Sequence, residues 1–121
     1  MSGRLTTHVL DILQGRPAAH MTIQLWRLDA AKGRLCLKTT RTNAHGRTEE
    51  ALLVDNEMVQ GTYELLFAVG AYFAMQPMAI ELPEPPFLDE VPIRFGIADP
   101  QAHYHVPLLV SPWAYSTYRG S

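Results

Sequence analysis

Short stretches in which apolar and polar residues alternate, separated by turn signals, run along most of the chain. One of them, residues 103–110, reads HYHVPLLV, and in an extended strand every second side chain lies on the same face. The apolar face of this predicted strand consists of Tyr104, Val106, Leu108 and Val110. His103 and His105 share the opposite face. A Ser-Pro turn follows, and residues 114–119 are predicted to return as the hairpin partner.

The same alternation predicts eight strands and one short helix. The strands are predicted at residues 6–13, 21–28, 35–42, 52–54, 61–69, 91–98, 103–110 and 114–119. The helix is predicted within residues 70–76, which break the alternation, and Pro77 would stop it. Short strands at this spacing are typical of an all-β sandwich or barrel. Two sheets packed face to face would bury the alternate apolar residues.

Prolines and the residues beside them refine this prediction. Residues 78–90 are rich in proline and are predicted to form a long surface loop, with Phe87 and Leu88 packed onto the core. Pro107 lies inside the seventh predicted strand and cannot donate a ladder hydrogen bond. We therefore expect a locally free edge or a bulge beside Pro107.

Length and composition describe an ordinary globular protein. The 121 residues are 47% hydrophobic and 18% charged, which predicts a single domain spanning residues 1–121. The formal net charge is -2 with lysine and arginine scattered, so the basic footprint typical of nucleic-acid binding is missing. Cys36 is the only cysteine, which excludes an internal disulfide and fits a reducing compartment.

Targeting signals do not stand out in the sequence. The first residues lack an apolar secretion signal, and the last residues are not a peroxisomal address of the Ser-Lys-Leu type. The longest apolar run, residues 65–75, is interrupted by Gly70 and is too short to span a bilayer. We therefore expect a soluble cytoplasmic protein without a membrane partner.

Candidate chemistry is confined to dispersed polar residues. Nothing matches a nucleotide-binding loop, a zinc-finger spacing or a nucleophile elbow. His103 and His105 form an HxH pair that could bind zinc, but no Cys, Asp or Glu lies at a supporting spacing, so we expect no metal. His20 and His45 lie beside turns and are predicted to be solvated. The remaining candidates are His8, Arg47, His103, His105, Tyr118, Arg119 and Ser121.

Three stretches carry a resemblance to a known family. They are LTTHVLD at residues 5–11, TNAHGRT at residues 42–48, and the closing run HYHVPLLVSPWAYSTYRGS at residues 103–121. They are similar to the signatures of 5-hydroxyisourate hydrolases, the enzyme branch of the transthyretin-like family. His45 stands where an acidic residue is common in the second signature. Transthyretin, the hormone-carrying branch, shares the Ser-Pro-aromatic-x-Tyr-Ser-Thr run but lacks the histidines, the arginine and the Tyr-Arg-Gly-Ser end.

The resemblance implies an eight-stranded, two-sheet β-sandwich of transthyretin type that assembles into a homotetramer, a dimer of dimers with a central channel. It also implies that active sites lie where subunits meet. Leu108, Val110, Trp113 and Tyr115 are predicted to contribute to packing around that interface. The site implied by the signatures consists of His8, Arg47 and His105 as catalytic residues, Tyr118, Arg119, Gly120 and Ser121 as substrate-binding residues, and His103 in a supporting role.

The activity implied by the resemblance is hydrolysis of a lactam bond in 5-hydroxyisourate, an oxidised purine formed in urate breakdown. The product is 2-oxo-4-hydroxy-4-carboxy-5-ureidoimidazoline. Histidine suits this chemistry because its ordinary pKa of about 6.5 lies near neutral pH. His8 and His105 are expected to activate water and return its proton, and Arg47 to stabilise negative charge. No cofactor or metal is implied, and which histidine is the base stays open.

Two other functions stay open at this stage. The first is a small-ligand carrier that uses the same channel, as transthyretin does. A carrier of apolar hormones gains little from His8, Arg47 and the Tyr118–Ser121 end. The second is a non-catalytic sandwich that serves as an interaction module, which would need an exposed apolar patch.

Overall fold

The computed structural model of the protein describes residues 3–78 and 81–121. Nine strands, one α-helix and one 3₁₀ turn follow one another along these residues. They are β1 (Arg4–Asp11), β2 (Arg16–Pro17), β3 (Thr22–Asp29), β4 (Gly33–Arg41), β5 (Leu53–Val54), the 3₁₀ turn (Asp55–Glu57), β6 (Gly61–Ala68), α1 (Val69–Ala74), β7 (Glu90–Ile97), β8 (His103–Val110) and β9 (Tyr115–Thr117).

The strands form two sheets. The first sheet has the order β2-β1-β8-β9, with β5 also paired to β1, and the second has the order β4-β3-β6-β7. β1 and β8 run parallel to each other, whereas the pairs of the second sheet are antiparallel. The prediction of an all-β, two-sheet fold with one short helix is therefore confirmed. Within the described residues, no helix is both long enough and apolar enough to cross a membrane.

The core lies between the sheets and is filled by alternate side chains of the central strands. β1 buries Leu5 and Val9, β3 buries Ile23 and Leu25, and β6 buries Leu65 and Phe67. Each such side chain contributes about 1.5–3 kcal/mol when it is fully buried. Leu108 and Val110 of β8 are also completely buried. Their placement at a subunit interface was therefore wrong, because both side chains fill the inside of one chain.

Two further predictions differ from the structure. β2 is a ninth strand, where the sequence predicted only a turn, and its Pro17 is tolerated because β2 lies at a sheet edge. Phe87 is 73% exposed, whereas Leu88 packs against the core as predicted. Both residues lie in bends of the proline-rich loop, where no regular alternation sets which side chain is buried. Ala79 and Ile80 of the predicted loop lie outside the described residues.

The ladder between β8 and β9 is interrupted beside Pro107. Regular pairing ends at Leu108 and Thr117, and it resumes as an isolated bridge between His105 and Gly120. The Thr117 hydroxyl donates to the Pro107 carbonyl over 2.7 Å. The expected free edge beside Pro107 is confirmed, since this residue cannot donate to a partner strand.

Candidate active site

The parallel register of β1 and β8 brings the candidate histidines onto one face of the first sheet. Thr6 lies opposite His105, and His8 lies opposite Pro107. Val9 and Leu108 of the same two strands are fully buried, so the alternate positions face outwards. His8, His103 and His105 are partly exposed on this outer face. The predicted shared face of His103 and His105 is confirmed.

The ring of His8 is held by a backbone carbonyl. Its Nε2 atom lies 2.9 Å from the carbonyl oxygen of His45. Because a carbonyl oxygen can only accept a hydrogen bond, Nε2 carries the proton. In the neutral ring Nδ1 therefore keeps its lone pair and can accept a proton. Burial and the nearby Arg47 lower the pKa of His8, against the opposing effect of the hydrogen bond to His45.

A tight turn at residues 43–47 presents both that carbonyl and Arg47. The side-chain oxygen of Asn43 accepts from the backbone N–H groups of His45 (2.9 Å) and Arg47 (3.2 Å). The backbone N–H of Val9 donates to the carbonyl of Gly46 over 2.8 Å, which fixes the turn against β1. Arg47 is exposed, and its positive charge lowers the pKa of both His8 and His105. It therefore lies close to both rings.

Glycine backbone packs against each of the two histidine rings. A Cβ atom at Gly46 would lie 3.2 Å from Cδ2 of His8 and would collide with the Val9 carbonyl oxygen. Gly46 also has φ of 76°, which disfavours other residues. A Cβ atom at Gly120 would lie 2.5 Å from Cδ2 of His105. Only glycine at these two positions lets the chain lie this close to the rings.

One hydroxyl joins the two histidines of β8. Thr6 Oγ1 lies 2.9 Å from Nε2 of His103 and 2.8 Å from Nδ1 of His105. Burial, then the positive charges of Arg4 and Arg119, lower the pKa of His103. Burial, then the charges of Arg47 and the other two histidines, lower the pKa of His105. The surrounding charges therefore favour neutral imidazole at all three rings at neutral pH.

The Tyr118–Ser121 end lies along the edge of the same sheet but faces several directions. The guanidinium of Arg119 stacks over the Tyr104 ring at 4.2 Å and donates to the His103 carbonyl over 3.3 Å. Tyr118 is 60% exposed, and with Arg119 it lines a cleft of about 340 Å³ next to β7. Ser121 is exposed. Within one chain, His8, Arg47, His103 and His105 come together, whereas contact of Tyr118, Arg119 and Ser121 with a substrate stays a prediction.

The histidine cluster lies on an open sheet face in a single chain. A cleft of about 430 Å³ lies between α1 and the proline-rich loop, and its lining includes Phe73, Leu82 and Pro86 but no histidine.

Across residues 3–78 and 81–121, no group of three His, Cys, Asp or Glu side chains is placed to hold a metal ion. His20 and His45 are exposed at turns, as predicted.

Sequence reasoning missed two residues that organise the cluster. Thr6 was assigned only to a strand, and its link to His103 and His105 depends on the parallel register of β1 and β8. Asn43 was assigned only to a turn. The sequence did carry a signal for the role of Asn43, namely its position just before Gly46 in a predicted turn. Asn side chains commonly accept hydrogen bonds from the next backbone N–H groups in a turn. Nothing in the sequence alone indicated the link through Thr6.

The fold and the cluster define a class: a two-sheet β-sandwich with histidines and an arginine on the outer face of one sheet. The family model described as the HIUase/Transthyretin family matches residues 5–120. The chain belongs to this family, and the resemblance found in its signatures is confirmed.

Relatives match over nearly the whole chain. A 5-hydroxyisourate hydrolase from Mesorhizobium japonicum is 59% identical over 119 residues, which cover 98% of this chain and 93% of the relative. The 5-hydroxyisourate hydrolase 2 of Rhizobium meliloti is 52% identical, with 99% and 98% covered.

Solved structures agree with the fold. An (S)-allantoin synthase matches with a TM-score of 0.92 and 47% identity, and the match covers 99% of this chain but 44% of that one. The 5-hydroxyisourate hydrolase of Klebsiella pneumoniae matches with a TM-score of 0.76 and 35% identity, with 98% and 99% covered. Sea bream transthyretin in complex with thyroxine matches with a TM-score of 0.82 and 26% identity, with 97% and 94% covered. The predicted transthyretin type of sandwich is thereby confirmed.

Proposed function

We propose that this protein hydrolyses 5-hydroxyisourate to 2-oxo-4-hydroxy-4-carboxy-5-ureidoimidazoline in urate catabolism. The observation that carries the proposal is the cluster of His8, His103 and His105 beside Arg47 on one sheet face, where burial and positive neighbours lower the pKa of each ring. Relatives named for this activity are 59% and 52% identical to the chain. The match to transthyretin, at 26% identity, is weaker in sequence, which favours the enzyme over a carrier of apolar ligands.

The catalytic roles follow from the hydrogen-bonding state of each ring. Nδ1 of His8 is a proton acceptor, because Nε2 is engaged with the His45 carbonyl. A histidine takes a proton from water, and the resulting hydroxide attacks the lactam carbonyl carbon. Arg47 stabilises the oxyanion that forms. The carbon–nitrogen bond then breaks, and a protonated imidazole donates its proton to the leaving nitrogen. His8 and His105 together position and activate the water and return its proton, and no cofactor is invoked.

We propose that the remaining parts of the site are completed by assembly. The histidine face is open in one chain, and an open face leaves charges in water, where their interactions are weak. A homotetramer, as a dimer of dimers, would cover the face and let Tyr118, Arg119, Gly120 and Ser121 border the substrate. Closed symmetric assemblies commonly form from self-complementary faces.

We place the reaction in the cytoplasm. Cys36 is an exposed free thiol, and such a thiol persists unoxidised in a reducing compartment.

The deciding experiment follows the ultraviolet absorbance of freshly generated 5-hydroxyisourate with and without the protein. Faster decay in proportion to protein concentration supports the enzyme. Saturable binding of the substrate or of thyroxine without faster decay supports a carrier. If the protein neither accelerates the decay nor binds either molecule, the interaction module is supported.

A further inference from the structure

The hydroxyl of Thr6 occupies a position that constrains two histidines at once. Its oxygen lies 2.9 Å from Nε2 of His103 and 2.8 Å from Nδ1 of His105. A hydroxyl has one proton and two lone pairs, so between two nitrogens it can donate to one and accept from the other. In this bridging arrangement one of the two facing nitrogens is bare while the other carries a proton.

A bridge of this kind gives the neutral pair two arrangements. In the first, Nδ1–H of His105 donates to Thr6, and Thr6 donates to a bare Nε2 of His103. The outer nitrogen of His105, Nε2, is then bare and can accept a proton from water. In the second, Nε2–H of His103 donates to Thr6, and Thr6 donates to a bare Nδ1 of His105. Nε2 of His105 then carries a proton and can give it to a leaving group.

We propose that Thr6 is a positioning residue that relays protons between His105 and His103, so that His105 acts as base and then as acid in one turnover. This inference rests on the hydrolysis proposed above. It also gives His103 a defined role, since its ring becomes the far end of the relay.

The transfers balance in protons and charge. When Nε2 of His105 takes a proton from water, Nδ1–H of the same ring passes its proton to Thr6 Oγ1. The original hydroxyl proton passes to Nε2 of His103. His103 becomes the cation, and His105 is neutral with a proton on Nε2. Delivery of that proton to the leaving nitrogen and return transfer through Thr6 restore the first arrangement.

The charged groups around the relay fit a pair that is neutral at rest. Arg47 and His8 lie near His105, and Arg4 and Arg119 lie near His103. These positive neighbours disfavour a lasting imidazolium at either ring. An imidazolium that forms briefly and loses its proton within the turnover is therefore favoured over an imidazolium that persists.

The first test needs no substrate. Nitrogen-15 NMR of the imidazole rings distinguishes the two neutral tautomers, and at about pH 8 the rings are uncharged, so Coulomb effects between them are small. We expect His103→Phe to change the tautomer ratio of His105 in the wild-type background. The same substitution should change nothing in a Thr6→Val background. An equal response of His105 in both backgrounds would overturn the coupling through the hydroxyl.

The second test is kinetic. Thr6→Val, which keeps the shape and removes the hydroxyl, should lower kcat by about 10- to 100-fold with KM changed by less than about twofold. Thr6→Ser should restore kcat to within about threefold of the wild type, because it keeps the hydroxyl. Wild-type kcat in Thr6→Val, or equal loss in Thr6→Ser, would show that the hydroxyl is not a relay.

Thr7→Val is the matched control. Thr7 is the buried neighbour of Thr6 on the core face of β1, and its hydroxyl donates to the Val106 carbonyl over 2.7 Å. Its loss should lower the melting temperature and leave kcat unchanged. If the wild type fails to hydrolyse 5-hydroxyisourate, the proposed function falls, while the NMR comparison still decides whether Thr6 couples the rings.

Discussion

The position of single protons decides what the candidate site can do. His8 carries its proton on Nε2 because the His45 carbonyl requires a donor, and the other nitrogen is left to accept. Burial and Arg47 hold the pKa of His8 below its ordinary value. The neutral form of the ring is consequently favoured at pH 7, and in it Nδ1 can accept from a water molecule.

The pH dependence of turnover follows from these shifts. We expect kcat/KM to fall as the pH is lowered, with an inflection below about 6.5, because the pKa of His8 and that of His105 are lowered from their ordinary value. The measurement is initial rate against pH at constant ionic strength. An inflection above pH 7, or a level rate down to pH 5, would contradict a neutral imidazole base.

Substitution of the histidines separates catalysis from folding. His8→Asn and His105→Asn should each lower kcat by on the order of 100-fold or more while the melting temperature changes by a few degrees. His20→Asn, at an exposed turn, is the control and should retain full activity. Full activity in either active-site variant would remove that ring from the mechanism.

Gly120 is predicted to act through the ring of His105. A methyl group at Gly120 would lie 2.5 Å from Cδ2 of His105, so Gly120→Ala must displace the ring or the chain. We expect a loss of kcat of at least about tenfold with little loss of stability, since small misplacements of catalytic groups are costly in rate. Activity and thermal melting are measured together, with Gly96→Ala as control, because a Cβ atom there meets nothing within 4 Å.

For single residues, the sequence predicted which side chains form the site better than it predicted their hydrogen-bond partners. His8, Arg47, His103 and His105 were predicted from the signatures, and the structure brings them together. The partners that define their chemistry, the His45 carbonyl and the Thr6 hydroxyl, are 37 and 99 positions away from the rings they contact. Pairings over such distances depend on strand register, which is a property of the folded chain.

The turn at residues 43–47 is the element that joins the site together. It supplies the carbonyl for His8 and carries Arg47, and the side-chain oxygen of Asn43 closes it by accepting two backbone hydrogen bonds. Gly46 anchors it to β1 through Val9. A change in this turn therefore moves both the base and the cation.

Asn43→Ala should disorder the turn and lower activity more than stability. Three exposed hydrogen bonds are lost, two to the side-chain oxygen and one from its amide nitrogen to Glu49, which costs about 1–2 kcal/mol in the free energy of unfolding. We expect kcat/KM to fall by at least about tenfold as Arg47 and the His45 carbonyl lose their positions. Asn43→Asp keeps an accepting oxygen and should recover most of the rate. If both variants behave alike in kinetics and in melting, the side-chain oxygen does not position the site.

The predicted strands were recovered well, because their alternation reflects burial on one face. The ladder gap at Pro107 was predicted from a missing donor and is present. β2 was missed because two residues carry no periodicity, and Phe87 was misplaced because a proline-rich loop has no repeating face. Short or irregular segments take their structure from neighbours that the local sequence does not reveal.

On the whole-molecule scale, the outer face of the first sheet is divided into two parts. Thr6, His8, His103 and His105 form the polar part. Leu10 and Leu109, which pair across β1 and β8, are partly exposed on the same face, and Ile12 beyond them is 52% exposed. Trp113 and Tyr115 are also exposed. This apolar part replaces Leu108 and Val110 as the candidate contact surface.

A charge in the apolar part should separate subunits and reduce activity. We expect Ile12→Glu to give folded monomers or dimers whose rate per chain falls by at least about tenfold. The reason is that electrostatic stabilisation of the reaction is weaker on a catalytic face that is open to water. Analytical ultracentrifugation and the hydrolysis assay are performed at the same protein concentration. Leu37→Glu, at a 43% exposed position on β4 of the other sheet, is the control. A monomer with the tetramer's rate per chain would rule out a shared site.

The parallel pairing of β1 and β8 has a consequence for how the protein is made. Thr6 and His105 are 99 positions apart, yet they lie opposite each other in adjacent strands. Closing so long a loop is entropically costly, and pairings between distant segments are slow to form during folding. A ribosome-bound chain that has not yet emerged through β8 lacks half of the cluster. The site thus matures only after β8 has been synthesised, and turnover by nascent chains that lack β8 is not expected.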